Sequence, residues 1–345
     1  MRVLGIWVLG DMADELAATG AVVDCAAAPR QHWAWRAFRW SYWLEKYLRK
    51  HQIEAVIEHG GQEGHVAWAC AAAGVGYMTT VIHSAYVPSR LGYWRRRYQH
   101  GVFFKRYRWA IAVSDSVRAH EIKRFGVSSE RIRTIPNGIV VNRFGGPRVD
   151  GTQRGQLFGV DLADETLVVG TVGNLRAPKN HEMLLRAWAL LRKRVPLPAH
   201  LVIIGGGPLA QALEEQRSAL GLDDCVTMLG KRSDVPTLLK GMDVFVMSSH
   251  VEGHPVVALE AMAAGLPIVG TRVSGLQDVI EDGVTGLLAE PNDAKSLASQ
   301  MTRLINDAAL RHNLAEAGRE MVEREYSIER CAQLHEQALR ESNLA

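Results

Sequence analysis

The stretch that decides the fold reads SSHVEGHPVVALEAMAAGLP and occupies residues 248–267. A buried apolar strand leads into its polar loop. Pro255 can then open a helix, because the first helical turn does not use the N–H that proline lacks. The free amides of Val256, Val257 and Ala258 would point out of that helix end, where they and the helix dipole attract an anion. The stretch therefore predicts a strand–loop–helix junction with a site for a diphosphate.

Two carboxylates flank this helix end. Glu252 lies in the loop, and Glu260 lies one to two turns into the helix. Both are poorly placed for metal-free contact with phosphate but well placed to accept hydrogen bonds from the hydroxyl groups of a sugar and a ribose. The spacing alone is equally compatible with solvated charges around an ordinary junction, so both interpretations stay open.

The rest of the chain alternates between strand-like and helix-like runs. Apolar, β-rich runs occur at 3–9, 21–25, 55–58, 77–82 and 109–113, and again at 166–172, 200–204, 225–229, 244–247, 268–270 and 286–289. Such alternation is typical of parallel sheets covered on both faces by helices. It predicts an α/β fold with two Rossmann-like, doubly wound domains and a cleft between them, where ligands bind at the carboxyl ends of strands.

A polar run at 148–156, which contains Gly151 and Gly155, interrupts this periodicity and predicts the domain boundary. We expect one domain over 1–147, a second over 148–327, and a final helix over 328–345 that crosses back to the first domain. A length of 345 residues fits two domains.

Composition excludes several classes of protein. With 47% apolar and 22% charged residues, the chain is neither disordered nor fibrous. No run of 18 uncharged apolar residues occurs, so no membrane-spanning helix is expected. The four cysteines are scattered and form no CxxC pair, which favours a cytoplasmic protein with reduced thiols.

The 248–267 stretch resembles the EX7E motif of the family-4 retaining glycosyltransferases, also described as glycosyl transferases group 1, which have the GT-B fold. Glu252 and Glu260 occupy the two acidic positions, and the resemblance extends over most of residues 77–330. It implies that Glu260 binds the ribose, that Glu252 positions the donor sugar, and that His254 and Pro255 belong to the donor-binding loop with Val256 and Val257.

Further segments match the same family. The run TVGNLRAPKNH at 171–181 resembles its phosphate-binding loop, with Lys179 as the phosphate ligand and Gly173 beside it. Asn174 stands where the family usually has arginine, so either Arg176 swings in or one phosphate contact is missing. The resemblance also places Gly206 in the family's glycine turn, although a glycine triplet alone is weak support. It places Lys231 and Arg232 at the nucleotide base.

The N-terminal half carries a candidate catalytic residue. His83 follows the strand at 77–82 and resembles the family's histidine that faces the donor sugar, although a lone histidine is more often a packed structural residue. The chain also departs from the family, because its first strand runs directly into 10–20, which looks like the family's second unit. We therefore expect the usual first strand–loop–helix unit to be absent.

Basic charge is concentrated in the first half of the chain. Residues 1–145 hold 20 Lys and Arg against 11 Asp and Glu, a balance of +9, whereas the remainder holds 20 against 26, a balance of −6. The acid-free run at 90–109 combines seven basic residues with seven aromatic ones, and 33–50 adds four tryptophans. This pattern favours an anionic membrane surface. A core-packing stripe with a solvated face and a nucleic-acid patch are the alternatives.

These observations predict an enzyme that moves a sugar from a nucleoside diphosphate sugar to a hydroxyl acceptor with retention, in cell-surface polysaccharide or glycolipid synthesis. The N-terminal domain would bind the acceptor, lipid-linked or saccharide, and the C-terminal domain the donor. No cofactor or metal is expected, because no aspartate-rich diphosphate–metal motif is present, and no nucleic-acid partner is expected. We place the protein in the cytoplasm, peripheral to the membrane. An inactive scaffold or partner subunit and a sugar-nucleotide epimerase are the alternatives.

Overall fold

Strands and helices alternate along the chain in a computed structural model, which describes residues 2–5, 22–25, 33–59, 63–84, 93–94, 97, 107–192 and 198–343. In chain order the strands are β1 (Arg2–Gly5), β2 (Val22–Cys25), β3 (Ala55–His59), β4 (Tyr77–Ile82), β5 (Trp109–Ala112), β6 (Ile132–Thr134), β7 (Leu167–Val172), β8 (Ala199–Ile204), β9 (Val226–Gly230), β10 (Val244–Met247), β11 (Ile268–Thr271) and β12 (Leu287–Ala289).

The helices lie between these strands. They are α1 (Trp33–Lys50), α2 (Glu63–Ala73), α3 (Asp115–Phe125), α4 (Gly151–Phe158), α5 (His181–Arg192), α6 (Ala210–Ala219), α7 (Val235–Lys240), α8 (Val256–Ala263), α9 (Ser274–Gln277), α10 (Ala294–Asn306), α11 (Ala308–Glu325) and α12 (Ile328–Asn343). Short 3₁₀ helices occupy Ser129–Arg131, Val141–Arg143 and Ala177–Lys179.

The largest sheet has six strands in the order β12-β11-β10-β7-β8-β9, and its paired strands run parallel. Neighbouring residues of one strand contribute to different cores. Val169 packs into a cluster with α5 and α10, whereas Val168 packs into a cluster with α8. Because successive side chains of a strand point to opposite faces, this division means that helices cover both faces of the sheet. The predicted doubly wound sheet of the second half is confirmed.

Strands β3, β4, β5 and β6 form a second sheet in that order, and β1 pairs in parallel with β2. By contact density the chain divides into one unit of residues 1–80 and 97–109 and another of residues 81–96 and 110–345. In the first unit, α1 packs on α2 through a core that includes Leu44, Leu48 and Cys70. The predicted domain limits at 147 and 327 remain a prediction.

The polar run at 148–156 does not form the irregular link that its glycines suggest. Helix α4 begins inside it, because the Asp150 side chain accepts a hydrogen bond from the Gln153 amide and caps the helix. Phe158 anchors its other end in the core. Residues 10–20, which resemble the family's second unit, lie outside the residues that the structure describes.

Candidate functional site

A cavity of about 620 Å³ opens at the carboxyl ends of four neighbouring strands of the six-stranded sheet, β7, β8, β9 and β10. This edge is where parallel α/β sheets bind ligands. Most of the residues predicted for the donor site line it together: Gly173, Asn174, Lys179, Gly206, Lys231, Arg232, Glu252, His254, Pro255, Val256, Val257 and Glu260. Two predicted site residues, Arg176 and His83, do not line the cavity.

The glycine turn after β8 is required by a close approach of two backbones. A Cβ at Gly205 would collide with the carbonyl oxygen of Gly173, and a Cβ at Gly207 would lie 2.5 Å from the carbonyl oxygen of Leu175. Gly205 also has a φ of 146°, a conformation that other residues rarely adopt. The triplet therefore lets the loops after β7 and β8 pack together. This packing requires glycine at positions 205 and 207, which the sequence alone did not indicate.

The loop after β7 is tied to the loop after β10 by an ion pair. Lys179 Nζ lies 2.6 Å from Glu252 Oε1, and Ser249 Oγ donates to the same oxygen at 2.6 Å. The backbones are joined as well, because the His250 amide donates to the Pro178 carbonyl at 2.8 Å. Two residues predicted for separate roles, phosphate binding and sugar binding, are therefore direct partners.

Helix α8 presents its N-terminus to the cavity through Val256 and Val257. Pro255 is its N-cap, and the Pro255 carbonyl accepts a hydrogen bond from the Ala258 amide at 2.9 Å. The expectation that Ala258 also offers its N–H to an anion is therefore wrong, because that group is engaged within the helix. The amides of Val256 and Val257 remain the candidates for a diphosphate.

Glu260 lies about one turn into α8 and faces the cavity. Burial raises the pKa of its carboxyl to about 6, and the nearby Arg143 guanidinium opposes that rise. Arg143 also lines the cavity, from the 3₁₀ helix Val141–Arg143. The sequence analysis did not identify Arg143, because it lies outside the motifs that resemble the family's donor site.

His254 is a buried residue in the wall of the cavity. Its side chain is 7% exposed and packs against the Tyr326 ring at 5.3 Å between centroids. Within the described residues neither ring nitrogen has a hydrogen-bond partner, and burial lowers the pKa of the imidazole to about 4. His254 is therefore a neutral ring at neutral pH.

His83 approaches the loop of Glu252 through its backbone, although it does not line the cavity. It follows β4, and its carbonyl oxygen is where a Cβ at Gly253 would collide. The backbone beside His83 thus abuts the loop of Glu252, and Gly253 permits that approach. Partial desolvation lowers the pKa of its imidazole.

The predicted base-binding loop has one cation already engaged. Arg232 makes a bidentate ion pair with Asp234, with Nε–Oδ1 and Nη2–Oδ2 distances of 2.8 and 2.5 Å.

Arg176, the proposed substitute for the family's arginine, is exposed at the start of the 3₁₀ helix Ala177–Lys179. Its side chain is absent from the cavity lining, so in this structure it does not replace the contact that Asn174 lacks.

The aromatic helix α1 divides its side chains between two environments. Leu44 and Leu48 are buried, whereas Tyr42 is 49% and Trp43 38% exposed. Lys46 Nζ lies 4.5 Å from the centre of the exposed Tyr42 ring. One face of the helix is therefore a core-packing stripe, and the exposed face combines aromatic with basic side chains, so the membrane interpretation and its core-stripe alternative both stay open. Arg95 and Arg96, most of the run at 90–109, and the side chains of 33–39 lie outside the described residues.

Neither a metal cluster nor a membrane span is found in the part of the chain that the structure describes. No group of three or more His, Cys, Asp or Glu side chains there is arranged to hold a metal ion. None of the helices there combines the length and the hydropathy that crossing a bilayer needs.

Comparison with known proteins agrees with the motifs. Glycosyl transferases group 1 matches residues 156–321, and Glycosyltransferase Family 4 matches residues 8–143. The N-acetyl-alpha-D-glucosaminyl L-malate synthase of Bacillus anthracis is 31% identical over 233 residues, which cover 66% of this chain and 60% of that protein. The capsular polysaccharide biosynthesis glycosyltransferase CapM of Staphylococcus aureus is 28% identical, covering 63% and 57%. The matches thus span about three fifths of the length of these relatives.

The solved structures confirm the predicted GT-B fold. Anabaena HepE in complex with UDP and glucose aligns with a TM-score of 0.82 and 21% identity, over 98% of this chain and 91% of that chain. Two matching families that together account for both halves, relatives that carry the glycosyltransferase name, and this shared fold lead to one assignment. The chain belongs to the glycosyltransferases of the family-4 and group-1 type.

Proposed function

We propose that this protein is a retaining glycosyltransferase that moves a sugar from a nucleoside diphosphate sugar to a hydroxyl acceptor. The observation that carries the proposal is the meeting of three features in one cavity: the N-terminus of α8, the Lys179 ammonium, and the Glu260 carboxylate. Together they match the needs of a diphosphate joined to a ribose. The UDP and glucose bound to Anabaena HepE, which shares the fold, support UDP as the first nucleotide to test.

In this proposal the main catalytic effect is stabilisation of the leaving diphosphate. The amides of Val256 and Val257 and the Lys179 ammonium would hold it, since fixed donors aimed at developing negative charge account for much of many enzymes' rates. Glu260 would accept hydrogen bonds from the ribose. Glu252 and His83 would position the sugar, and no metal or cofactor would take part.

A screen of nucleotides by thermal unfolding tests the donor class. We expect UDP or another nucleoside diphosphate to raise the unfolding temperature, because a ligand that binds only the native state stabilises it. Glu260→Ala should abolish most of that rise, whereas Glu316→Ala, at a side chain 65% exposed on α11, should not change it. Absence of any shift with UDP, GDP and ADP would contradict the proposal.

Turnover distinguishes this enzyme from an inactive scaffold or an epimerase. A transferase should release free nucleoside diphosphate faster when a hydroxyl acceptor is added. An epimerase would change the sugar nucleotide without releasing the nucleotide, and a scaffold would do neither.

We further propose that the acceptor is a saccharide or a lipid-linked molecule of cell-surface polysaccharide or glycolipid synthesis, and that the protein works in the cytoplasm on an anionic membrane surface. The capsular role in the name of CapM supports the first point. The exposed Tyr42 and Trp43 beside Lys46 support the second, because aromatic rings at headgroup depth and basic side chains both favour anionic bilayers.

A further inference from the structure

The ion pair between Lys179 and Glu252 occupies the centre of the proposed donor site. Both side chains line the cavity, and both are largely shielded, with 26% of the lysine and 10% of the glutamate side chain exposed. The lysine is held at its backbone too, because Ser248 Oγ donates to the Lys179 carbonyl at 3.0 Å. This is a fixed pair in a partly desolvated site, where charge–charge interactions are stronger than at an open surface.

The ion pair conflicts with the separate roles proposed for Lys179 and Glu252, because each residue already has the other as its partner. A diphosphate and the Glu252 carboxylate are both anions, and both require the same ammonium group. Lys179 and Ser249 both donate to Oε1 of Glu252, so a sugar hydroxyl that approaches this oxygen meets two donors already in place. While they are paired, therefore, each residue blocks part of the function of the other.

We propose that Glu252 is a positioning residue that holds Lys179 beside the diphosphate site before the donor binds, and that the donor diphosphate draws Lys179 away from Glu252. When Lys179 moves to the diphosphate, Glu252 becomes free to accept a hydrogen bond from a hydroxyl group of the donor sugar. Arrival of the diphosphate and recognition of the sugar are thus coupled through one ion pair. The inference rests on the proposed donor chemistry.

This exchange has a consequence for the end of the reaction. After transfer, the bound nucleoside diphosphate has no sugar, so Glu252 loses its hydroxyl partner and again competes for Lys179. The carboxylate then weakens the hold on the product. Glu252 should therefore oppose binding of a sugar-free nucleoside diphosphate, although it favours the complete donor.

A double-mutant cycle measured with UDP by calorimetry tests the inference. Glu252→Gln keeps the shape and removes the charge, and Lys179→Met removes the ammonium with a similar volume. We expect Glu252→Gln to tighten UDP binding about fivefold, the size of a partly exposed ion pair. In the Lys179→Met background, the same substitution should change UDP affinity less than about twofold.

A matched control separates charge from loop geometry. Ser249→Ala removes the other hydrogen bond to Glu252 but leaves the ion pair, so it should leave UDP affinity within about twofold of the wild type. The unfolding temperature of each variant establishes that it folds, and inorganic pyrophosphate as a second probe should repeat the pattern without a base or ribose.

The outcomes are distinct. Weaker or unchanged UDP binding in Glu252→Gln would overturn the inference and leave the proposed function intact. Equal tightening in both backgrounds would also overturn it, because simple repulsion between Glu252 and the diphosphate would then suffice. Failure of the wild type to bind any nucleoside diphosphate would instead refute the proposed function.

Discussion

Glu260 offers a test in which stability and ligand binding should move in opposite directions. Its carboxyl lies in the wall of the cavity, and burial raises its pKa from 4.5 to about 6. A tenfold change in proton affinity corresponds to about 1.4 kcal/mol. Holding this side chain ionised in the folded protein therefore costs about 2 kcal/mol of folding free energy.

The sign of the pH dependence follows from this rise. Between pH 4.5 and about 6 the folded protein binds a proton at Glu260 more often than the unfolded chain does. Stability from this group therefore falls as pH rises through that window, and the full cost applies above it. Glu260→Gln, which cannot ionise, should raise Tm by about 4 °C at pH 7.5 and change it little at pH 4.5.

The same substitution should weaken UDP binding. Hydrogen bonds to a charged acceptor are worth about 1.5–3 kcal/mol and neutral ones about 1 kcal/mol, so exchanging carboxylate for amide should lower affinity about fivefold or more. Thermal unfolding at the two pH values and calorimetry with UDP at pH 7.5 measure both effects. Glu316→Gln, on the exposed side of α11, is the control and should change neither.

Two results would refute this reasoning. A Glu260→Gln protein that is less stable than the wild type at pH 7.5 would mean that the carboxylate is held by contacts stronger than its desolvation. Unchanged UDP affinity in Glu260→Gln would show that Glu260 does not bind the ribose as proposed.

Three further predictions follow from other parts of the molecule. His83→Ala and Glu252→Ala should each lower kcat more than they weaken donor binding, as steady-state kinetics would measure. If one of these variants kept the wild-type kcat, the substituted residue would have no role in catalysis. Gly205→Ala should destabilise the protein by about 3 kcal/mol in urea unfolding, because it adds a backbone collision to conformational strain. Gly221→Ala, with a φ of 67° and open space around it, should cost only about 1 kcal/mol. The protein should sediment with anionic vesicles more than with neutral ones, less so at high salt, and replacing the three arginines at 95–97 by glutamate should release it; equal sedimentation with both vesicle types would contradict this.

The sequence predicted the order of the elements well because the information is local. Strand β4 has the limits that its apolar run indicates. Helix α4 was missed for a local reason as well: two glycines suggested a break, but the Asp150 cap and the buried Phe158 outweigh their cost.

The sequence predicted most of the residues that line the cavity, but it did not predict which of them pair. Lys179 and Glu252 are 73 positions apart, and only the parallel order of β7 and β10 brings their loops together. The glycine turn was undervalued for the same reason, because the carbonyl that excludes a side chain at Gly205 belongs to a different loop. Contacts between loops depend on strand order, which no single motif records.

The charges around the cavity support a site that exchanges partners. Lys179 is paired with Glu252, Arg232 with Asp234, and Arg143 lies near enough to Glu260 to affect its proton affinity. An anionic ligand that binds Lys179 or Arg232 must therefore compete with the carboxylate that is already paired with that side chain. The Val256 and Val257 amides of α8 have no such competitor among the described residues, so they would offer the proposed diphosphate a fixed attraction while the ion pairs rearrange. Under the proposed function, a site balanced in this way would hold a complete donor firmly and still release the nucleotide that remains after transfer.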